Sequence, residues 1–387
     1  MMPPATKLIT GSSSSAPDAR SGFAAALASV RRRDFVPAVI RTHRGGRWRK
    51  VDQERAPRDW SKLVHGPDPV VFDVNDGEEG GAEITGVIPS AADTERCLTV
   101  LAPEPGMRIA EIGTDSGWVA ALLQHLVQDG RVVSAADTLR LAEIAEQYLA
   151  PYRQVRVVGP GGKDLGPDAS FDGLLSHRAV GRIPWEWISR VRPGGRLSLV
   201  VRTGVMLDGV LLRLTVARDG QSATGHFYGA PWPRALWLRS QRPTDRTHPV
   251  DPREAPRVPA SVSDPHDHLR AGAQLMAGLL HPDLQMSLVR SGHPLDGDVA
   301  DRLRIHDGQA SRALIFLGGT YNAYEWGPRD LVSVLAEPLG QWRALRGPGP
   351  ERFGLTVTRT NHVLWYGSPK GPSWTLPALP TPDHETT

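Results

Sequence analysis

The stretch RIAEIGTDSGWVAALL, residues 108–123, has the pattern of a buried strand, a tight turn and a helix. Residues 109–112 form a short apolar run, residues 113–117 contain two glycines, and an apolar helical pattern begins at Trp118. The first free N–H groups of such a helix point into the turn, so an extended cofactor can lie across it where small residues let the backbone come close. The stretch predicts either a nucleotide-like cofactor site or an ordinary turn that contains glycines.

Further strand-like runs follow this turn and are separated by helical patterns. Residues 131–137, 155–158, 171–175 and 196–201 have the composition of strands, and residues 139–149 have the apolar spacing of a helix. Strands that alternate with helices predict an α/β fold with a parallel sheet covered on both faces. Ligands of such sheets bind at the carboxyl ends of the strands, here next to the turn at 113–117.

An acidic residue lies at the end of the second strand-like run. A carboxylate at this position of a dinucleotide-type fold accepts hydrogen bonds from a ribose diol, and Asp137 is the candidate. The same residue could instead act as an N-cap for the helix that follows. The residues alone leave both roles open.

Four motifs, in this order along the chain, resemble the protein-L-isoaspartate O-methyltransferase family, and the similarity covers roughly residues 20–245. They are RRDFVP at 32–37, EIGTDSGWVAALL at 111–123, RVVS at 131–134 and VRPGGRL at 191–197. Within the family, the chain looks most similar to an actinobacterial branch found with ribosomally made, modified peptides such as graspetides and lanthipeptides. TYNAYEWGPRDL at 320–331 and ERFGLTVT at 351–358 resemble the C-terminal extension of that branch.

The resemblance implies a Rossmann-like class I methyltransferase sheet, with an N-terminal helical and loop subdomain and a C-terminal α+β extension. It implies S-adenosyl-L-methionine as the cofactor and a peptide or protein as the substrate. The implied reaction is esterification of an aspartate or isoaspartate side-chain carboxylate, which in the resembled branch is followed by aspartimide formation. A carboxylate is already a nucleophile at neutral pH, so the enzyme has to align the reactants and exclude water rather than supply a strong base.

The resemblance also assigns candidate site residues. The cofactor-binding candidates are Glu111, Gly113, Thr114, Asp115, Gly117, Asp137 and Gly161. The catalytic candidates are Ser90, the nearest match to a family serine thought to contact the substrate carboxylate, and His177, which is a candidate because of its position at the carboxyl end of the fourth strand, where ligands bind in this architecture. His177 and Arg178 could hold a carboxylate, or they could be a loop cap and a surface cation.

Four positions depart from the family pattern. Asp115 replaces a glycine, Ala136 stands where the acid of the second strand belongs, Pro160 interrupts a Gly-Asp-Gly motif, and Ser90 is displaced by one position. A side chain at Asp115 takes volume where backbone approaches the ligand, although its charge is compatible with a sulfonium cation. A catalytically degenerate protein that binds a peptide or a partner subunit is therefore an alternative to the enzyme.

The composition is that of a globular protein. Of its 387 residues, 40% are hydrophobic and 22% charged, and no segment has the apolar length of a transmembrane helix or of a signal-peptide core. We therefore expect a cytoplasmic protein without membrane contact. The single cysteine, Cys97, is expected to be a buried thiol, and His266-Asp267-His268 lacks partners at tetrahedral spacing, so no metal site is predicted.

Basic residues concentrate near the N-terminus, above all in residues 41–50. Such a cluster can bind RNA, but no nucleic-acid fold motif accompanies it, so we expect it to be a solvated surface or to steer an acidic peptide.

Proline-rich and Ser-rich stretches suggest the domain boundaries. The expected units are a disordered tail (1–20), an N-terminal substrate-side subdomain (21–92), the methyltransferase domain (93–242), a Pro-rich linker (243–268), a C-terminal α+β peptide-recognition domain (269–375) and a loose tail (376–387). A competing role for the C-terminal region is to cover an exposed edge of the main sheet.

Overall fold

A ten-stranded mixed sheet forms the centre of the protein. The computed structural model describes residues 19–44, 47–77, 83–160, 165–232, 264–289, 301–318 and 323–377. In spatial order the central strands are β18 (Ser373–Thr375), β17 (His362–Tyr366), β16 (Phe353–Thr358), β11 (Ser222–Trp232), β10 (Gly209–Val216), β9 (Val191–Val201), β8 (Phe171–Val180), β5 (Arg108–Ile112), β6 (Arg131–Ala135) and β7 (Val155–Val158). The α/β class expected from the sequence is confirmed.

The half of the sheet from β9 to β7 is parallel, and the remaining strands are antiparallel. The order of the strands reverses at β5, because the chain continues to β6 and β7 on one side of it and returns to β8 and β9 on the other. Such a reversal opens a crevice at the carboxyl end of the first strand. The glycine turn at 113–117 therefore lies at the position where this fold binds ligands.

Helices cover the sheet because alternate strand residues face two different cores. Ile109 of β5 belongs to one buried cluster and Ala110 to the other. The helices are α1 (Ala19–Ser29), α2 (Pro57–Val64), α3 (Ala91–Leu101), α4 (Trp118–Val127), α5 (Leu139–Leu149), α6 (Trp185–Ser189), α7 (Ala271–Leu280) and α8 (Leu331–Ala344). Helix α4, which follows the turn, is buried on nearly all sides, so the turn is anchored at both ends in the core.

The N-terminal region packs against α4 and forms a four-stranded sheet of its own. Its strands, in spatial order, are β2 (Arg47–Asp52), β1 (Val39–Arg44), β3 (Val70–Val74) and β4 (Ile84–Ile88). The indole Nε1 of Trp118 donates to the carbonyl of Val30 at 3.1 Å, and the Arg32 guanidinium donates to the carbonyls of Asp68 and Ile88. The basic residues between 41 and 50 lie mostly on the antiparallel β1–β2 hairpin, which the sequence did not predict.

The C-terminal region contributes to two different sheets. Strands β12 (Gln285–Val289), β13 (Arg302–His306), β14 (Arg312–Phe316) and β15 (Ala323–Trp326) form an antiparallel sheet that contacts α8. Strands β16 to β18 instead extend the central sheet, because β16 pairs along β11. The region expected to be a separate C-terminal domain therefore shares the central sheet, and its strands β16 to β18 cover the edge of that sheet at β11.

Several helices and strands expected from the sequence are confirmed within a few residues. The helix expected at 139–149 is observed as α5. The strands expected at 131–137, 155–158, 171–175 and 196–201 are observed as β6, β7, β8 and β9, of which β8 and β9 are longer than expected. The expected tail at 1–20 and the linker at 243–268 lie largely outside the described residues. Within the part of the chain that the structure describes, no helix is long and apolar enough to cross a bilayer.

Candidate functional site

The turn after β5 is held by backbone hydrogen bonds and by left-handed residues. The N–H groups of Gly113 and Thr114 both donate to the carbonyl of Ala135, at 2.9 and 3.1 Å, which fixes the turn to the end of β6. Gly113 and Gly117 have φ angles of 95° and 88°. A Cβ on Gly117 would lie 2.7 Å from Leu149 Cδ1 of α5, so glycine is required there for both conformation and space.

Asp115 lies in the middle of the turn, is only 2% exposed and also has a left-handed backbone, with φ at 51°. Its Oδ1 accepts from Arg178 Nη2 at 2.7 Å and from the backbone N–H of Val87 at 3.2 Å, while Oδ2 lies 3.4 Å from His177 Nε2. Burial alone would raise the pKa of Asp115, but the Arg178 and His177 contacts hold that pKa below its ordinary value. The turn therefore carries a buried negative charge.

Arg178 bridges two carboxylates. Besides its hydrogen bond to Asp115, its Nε forms an ion pair with Asp137 Oδ2 at 2.7 Å. Burial opposes the charged guanidinium, but the two aspartates outweigh it and raise the pKa of Arg178. The three residues come from the turn, from the end of β6 and from β8, so this ion-pair network ties together the three strand ends around the crevice.

A bulge in β8 aims both His177 and Arg178 at the turn. In a regular strand, neighbouring side chains point to opposite faces. Here Ser176 pairs with Leu199 but Ala179 pairs with Val200, so two residues of β8 are inserted between consecutive partners. Bulges of this kind re-aim side chains and are common next to active sites. The bulge explains how two consecutive residues both contact Asp115.

Glu111 lies beneath the turn and is fully buried. Ser134 Oγ donates to Glu111 Oε2 at 2.5 Å and also contacts the Thr114 hydroxyl. Burial raises the pKa of Glu111 to about 7, although His177 and the Ser134 hydrogen bond act in the opposite direction. This carboxyl group supports the turn from below and is poised between its protonated and ionised forms near neutral pH.

Ser90 lies at the N-terminus of α3 and is 3% exposed. Its hydroxyl donates to Asp93 Oδ2 at 2.6 Å and accepts from the Asp93 N–H at 3.1 Å, so it caps the helix. The Ser90 hydroxyl therefore already has hydrogen-bond partners within the protein. The adjacent Pro89 lines a small cavity together with His177. Of the two catalytic candidates, His177 is the one that contacts the turn.

The structure brings most of the candidate residues together. The cluster around the turn consists of Glu111, Gly113, Thr114, Asp115, Asp137, His177 and Arg178. Gly117 is the N-cap position of α4, and Gly161 lies outside the described residues. Among the described residues there is no group of three or more His, Cys, Asp and Glu side chains that could hold a metal ion.

The sequence does not predict the Asp115–Arg178–Asp137 network, although each of its members carries a local signal. Asp115 departs from a glycine pattern, and Arg178 is a cation at a strand end. An unexpected buried acid and an unexpected cation at the same edge of a sheet are a signal for an ion pair, because a buried charge needs a partner.

Comparison with known proteins supports the resemblance found in the sequence. The family model described as protein-L-isoaspartate(D-aspartate) O-methyltransferase matches residues 81–220. A protein-L-isoaspartate O-methyltransferase from Staphylothermus marinus is 30% identical over 186 residues, which is 46% of this chain and 69% of that protein. The chain belongs to the protein-L-isoaspartate O-methyltransferase family.

Another relative matches over a shorter stretch, and a solved structure matches over most of the chain at low identity. A protein-L-isoaspartate O-methyltransferase from Pyrococcus horikoshii is 35% identical over 101 residues, 25% of this chain and 46% of that protein. A solved protein-L-isoaspartate O-methyltransferase structure is 16% identical and has a TM-score of 0.46, covering 87% of this chain and 92% of its own. The chain spans about half the length of several of the relatives it matches.

Proposed function

We propose that the protein is an S-adenosylmethionine-dependent carboxyl O-methyltransferase that esterifies an aspartyl or isoaspartyl side chain of a peptide. The observation that carries the proposal is the β5–turn–α4 junction at the reversal of strand order, in a chain of the isoaspartyl methyltransferase family. When bound, S-adenosylmethionine supplies an electrophilic methyl group.

The residues around the turn fit such a cofactor. Gly113 has no side chain, so backbone can come close to a ligand above it, and the N-terminus of α4 opens towards the same place. Asp137, whose side chain is 28% exposed, provides an acceptor for a ribose diol at the end of β6. Glu111 and Thr114 hold the turn from below, and Gly161 is assigned to the cofactor by the resemblance alone.

The acceptor side of the site needs positioning groups rather than a strong base. A carboxylate oxygen is already a competent nucleophile at neutral pH. The cationic Arg178 and the imidazole of His177 are candidates to orient it, since the bulge in β8 aims both towards the turn. Ser90 remains a candidate for contact with the substrate, but it would have to leave its cap on α3.

We further propose that the substrate is a ribosomally made precursor peptide and that its aspartyl ester goes on to an aspartimide. The support is the similarity of residues 320–331 and 351–358 to the extension of the actinobacterial branch. In this proposal the region from 269 to 375 grips the peptide, and a second contact raises the effective concentration of the reacting carboxylate at the turn.

The test is mass spectrometry of candidate peptides incubated with the protein and S-adenosylmethionine. An isoaspartyl peptide tests the reaction, and a precursor peptide encoded beside the protein tests the finer substrate. We expect a gain of one methylene, or a loss of one water where an aspartimide forms. Asp137→Ala should weaken cofactor binding and slow the reaction. Arg192→Ala should do neither, because it removes an ion pair with Asp172 at the amino ends of β8 and β9, away from the turn.

The outcomes separate the enzyme from the alternative of a degenerate binding protein. Unmodified peptides, together with no detectable binding of S-adenosylmethionine in titration calorimetry, would refute the enzyme. A precursor peptide that still binds under those conditions would favour the degenerate protein. Methylation of the isoaspartyl peptide alone would support the reaction and refute the precursor as the substrate.

A further inference from the structure

The side chain of Arg178 occupies the space directly above the glycine turn. A Cβ built on Gly113 would lie 2.7 Å from Arg178 Cγ and 2.8 Å from its Nε. Arg178 is 6% exposed, so it lies within the crevice rather than at its mouth. This is the same space in which the proposed function places the cofactor.

Two carboxylates on different elements hold the guanidinium there. Asp115 accepts from Nη2 and Asp137 lies against Nε, both at 2.7 Å. Asp137 is also the proposed acceptor for the ribose diol. The guanidinium thus fills the space above Gly113 and also pairs with Asp137, the carboxylate that the ribose would use. Bound cofactor would have to displace it from both places.

We propose that Arg178 is an intramolecular gate on the cofactor site, closed by its ion pairs with Asp115 and Asp137 and opened when the side chain leaves the turn. The proposal rests on the proposed function, because it assumes that an adenosyl cofactor binds at this turn. Opening the gate separates the guanidinium from both carboxylates.

A closed gate lowers the apparent affinity for the cofactor. When the competent state is only a fraction of the molecules, the apparent dissociation constant rises by the inverse of that fraction. If the two ion pairs favour the closed state by a factor of about ten or more, the gate is open in roughly one molecule in ten or fewer. Removing the gate should therefore tighten binding by about 10-fold or more.

The matched variants are designed around the buried charge of Asp115. Arg178→Ala alone would leave that carboxylate without its main cation and could prevent folding. We therefore compare Asp115→Asn with the double variant Asp115→Asn/Arg178→Ala. Asparagine keeps the volume at 115 and tolerates a left-handed backbone, so the two proteins differ only in the side chain above Gly113. Arg192→Ala serves as the control for the loss of an arginine elsewhere on the sheet.

The experiment is titration calorimetry with S-adenosylhomocysteine, which binds without reacting, on the full chain after circular dichroism has established that each variant is folded. We expect the double variant to bind more tightly than Asp115→Asn, in which Asp137 still holds the guanidinium, and at least about 10-fold more tightly than the parent protein, with Arg192→Ala equal to the parent protein. Arg178→Lys should fall between the parent and the double variant, because an ammonium group cannot bridge both carboxylates as a guanidinium does.

Different results would overturn the gate and the proposed function. Equal or weaker binding by the double variant, while the parent protein binds the ligand and methylates an isoaspartyl peptide, overturns the gate and leaves the proposed function in place. No binding by any folded variant, together with no methylation, overturns both.

Discussion

Replacing Glu111 by glutamine should change how the stability of the protein depends on pH. Burial raises the pKa of this carboxyl group from 4.5 to about 7. Between these two values the folded state holds a proton that the unfolded state has lost, so the free energy of unfolding falls as the pH rises from 4.5 through 7 and then levels off. The difference between the two pKa values corresponds to roughly 3 kcal/mol.

Glutamine has nearly the same shape and does not titrate in this range. The free energy of unfolding of Glu111→Gln, relative to the parent protein, should therefore increase by roughly 3 kcal/mol between about pH 5 and about pH 8. Urea unfolding followed by tryptophan fluorescence at several pH values measures this difference. The exposed Glu104→Gln is a control for removing a carboxyl group elsewhere. Parallel pH profiles of the parent protein and Glu111→Gln would refute the reasoning.

Three further predictions concern the surroundings of the site. Gly117→Ala should lower the free energy of unfolding by about 1–3 kcal/mol, because its φ is positive and its Cβ would meet Leu149; thermal denaturation at an unchanged midpoint would contradict this. Cys97 is buried, and burial raises the pKa of its thiol, so a colorimetric thiol reagent should react only as the protein unfolds, and immediate reaction of the native protein would be inconsistent. Truncation after Arg242 should give aggregates in size-exclusion chromatography, because it removes the strand that pairs with β11; a folded, monodisperse product would argue against it.

The sequence predicted β5 and β6 well because both strands are short and mostly buried, and each is followed by a helix with its own apolar pattern, α4 and α5. Ile109, Ala110 and Ile112 are buried, so β5 has a strong apolar pattern around the single buried carboxyl group of Glu111. The glycine turn at 113–117 and the start of α4 at Trp118 were also predicted at the observed positions. Local pattern was sufficient here because each element carries its own signal.

The antiparallel additions could not be predicted in the same way. The pairing of β16 with β11 joins residues more than a hundred positions apart, and no local pattern specifies that partner. The β1–β2 hairpin is rich in exposed basic residues, so it lacks the apolar alternation by which a half-buried strand is recognised. Both pairings depend on which strand edges remain unpaired after the rest of the chain has folded.

Asp115 and Arg178 are best understood together, as two members of one ion-pair network. Taken one at a time, Asp115 puts a carboxylate into a buried turn, and Arg178 puts a guanidinium above a glycine that makes room for a ligand. Either charge alone in this crevice would be strongly destabilising, on the order of 3–5 kcal/mol. Together, and with Asp137 as a third member, they form a compact ion-pair network that satisfies its own charges. The network that neutralises the buried charges also fills the space above Gly113, so cofactor affinity in this protein should depend on the ease with which Arg178 leaves as well as on Asp137 as an acceptor.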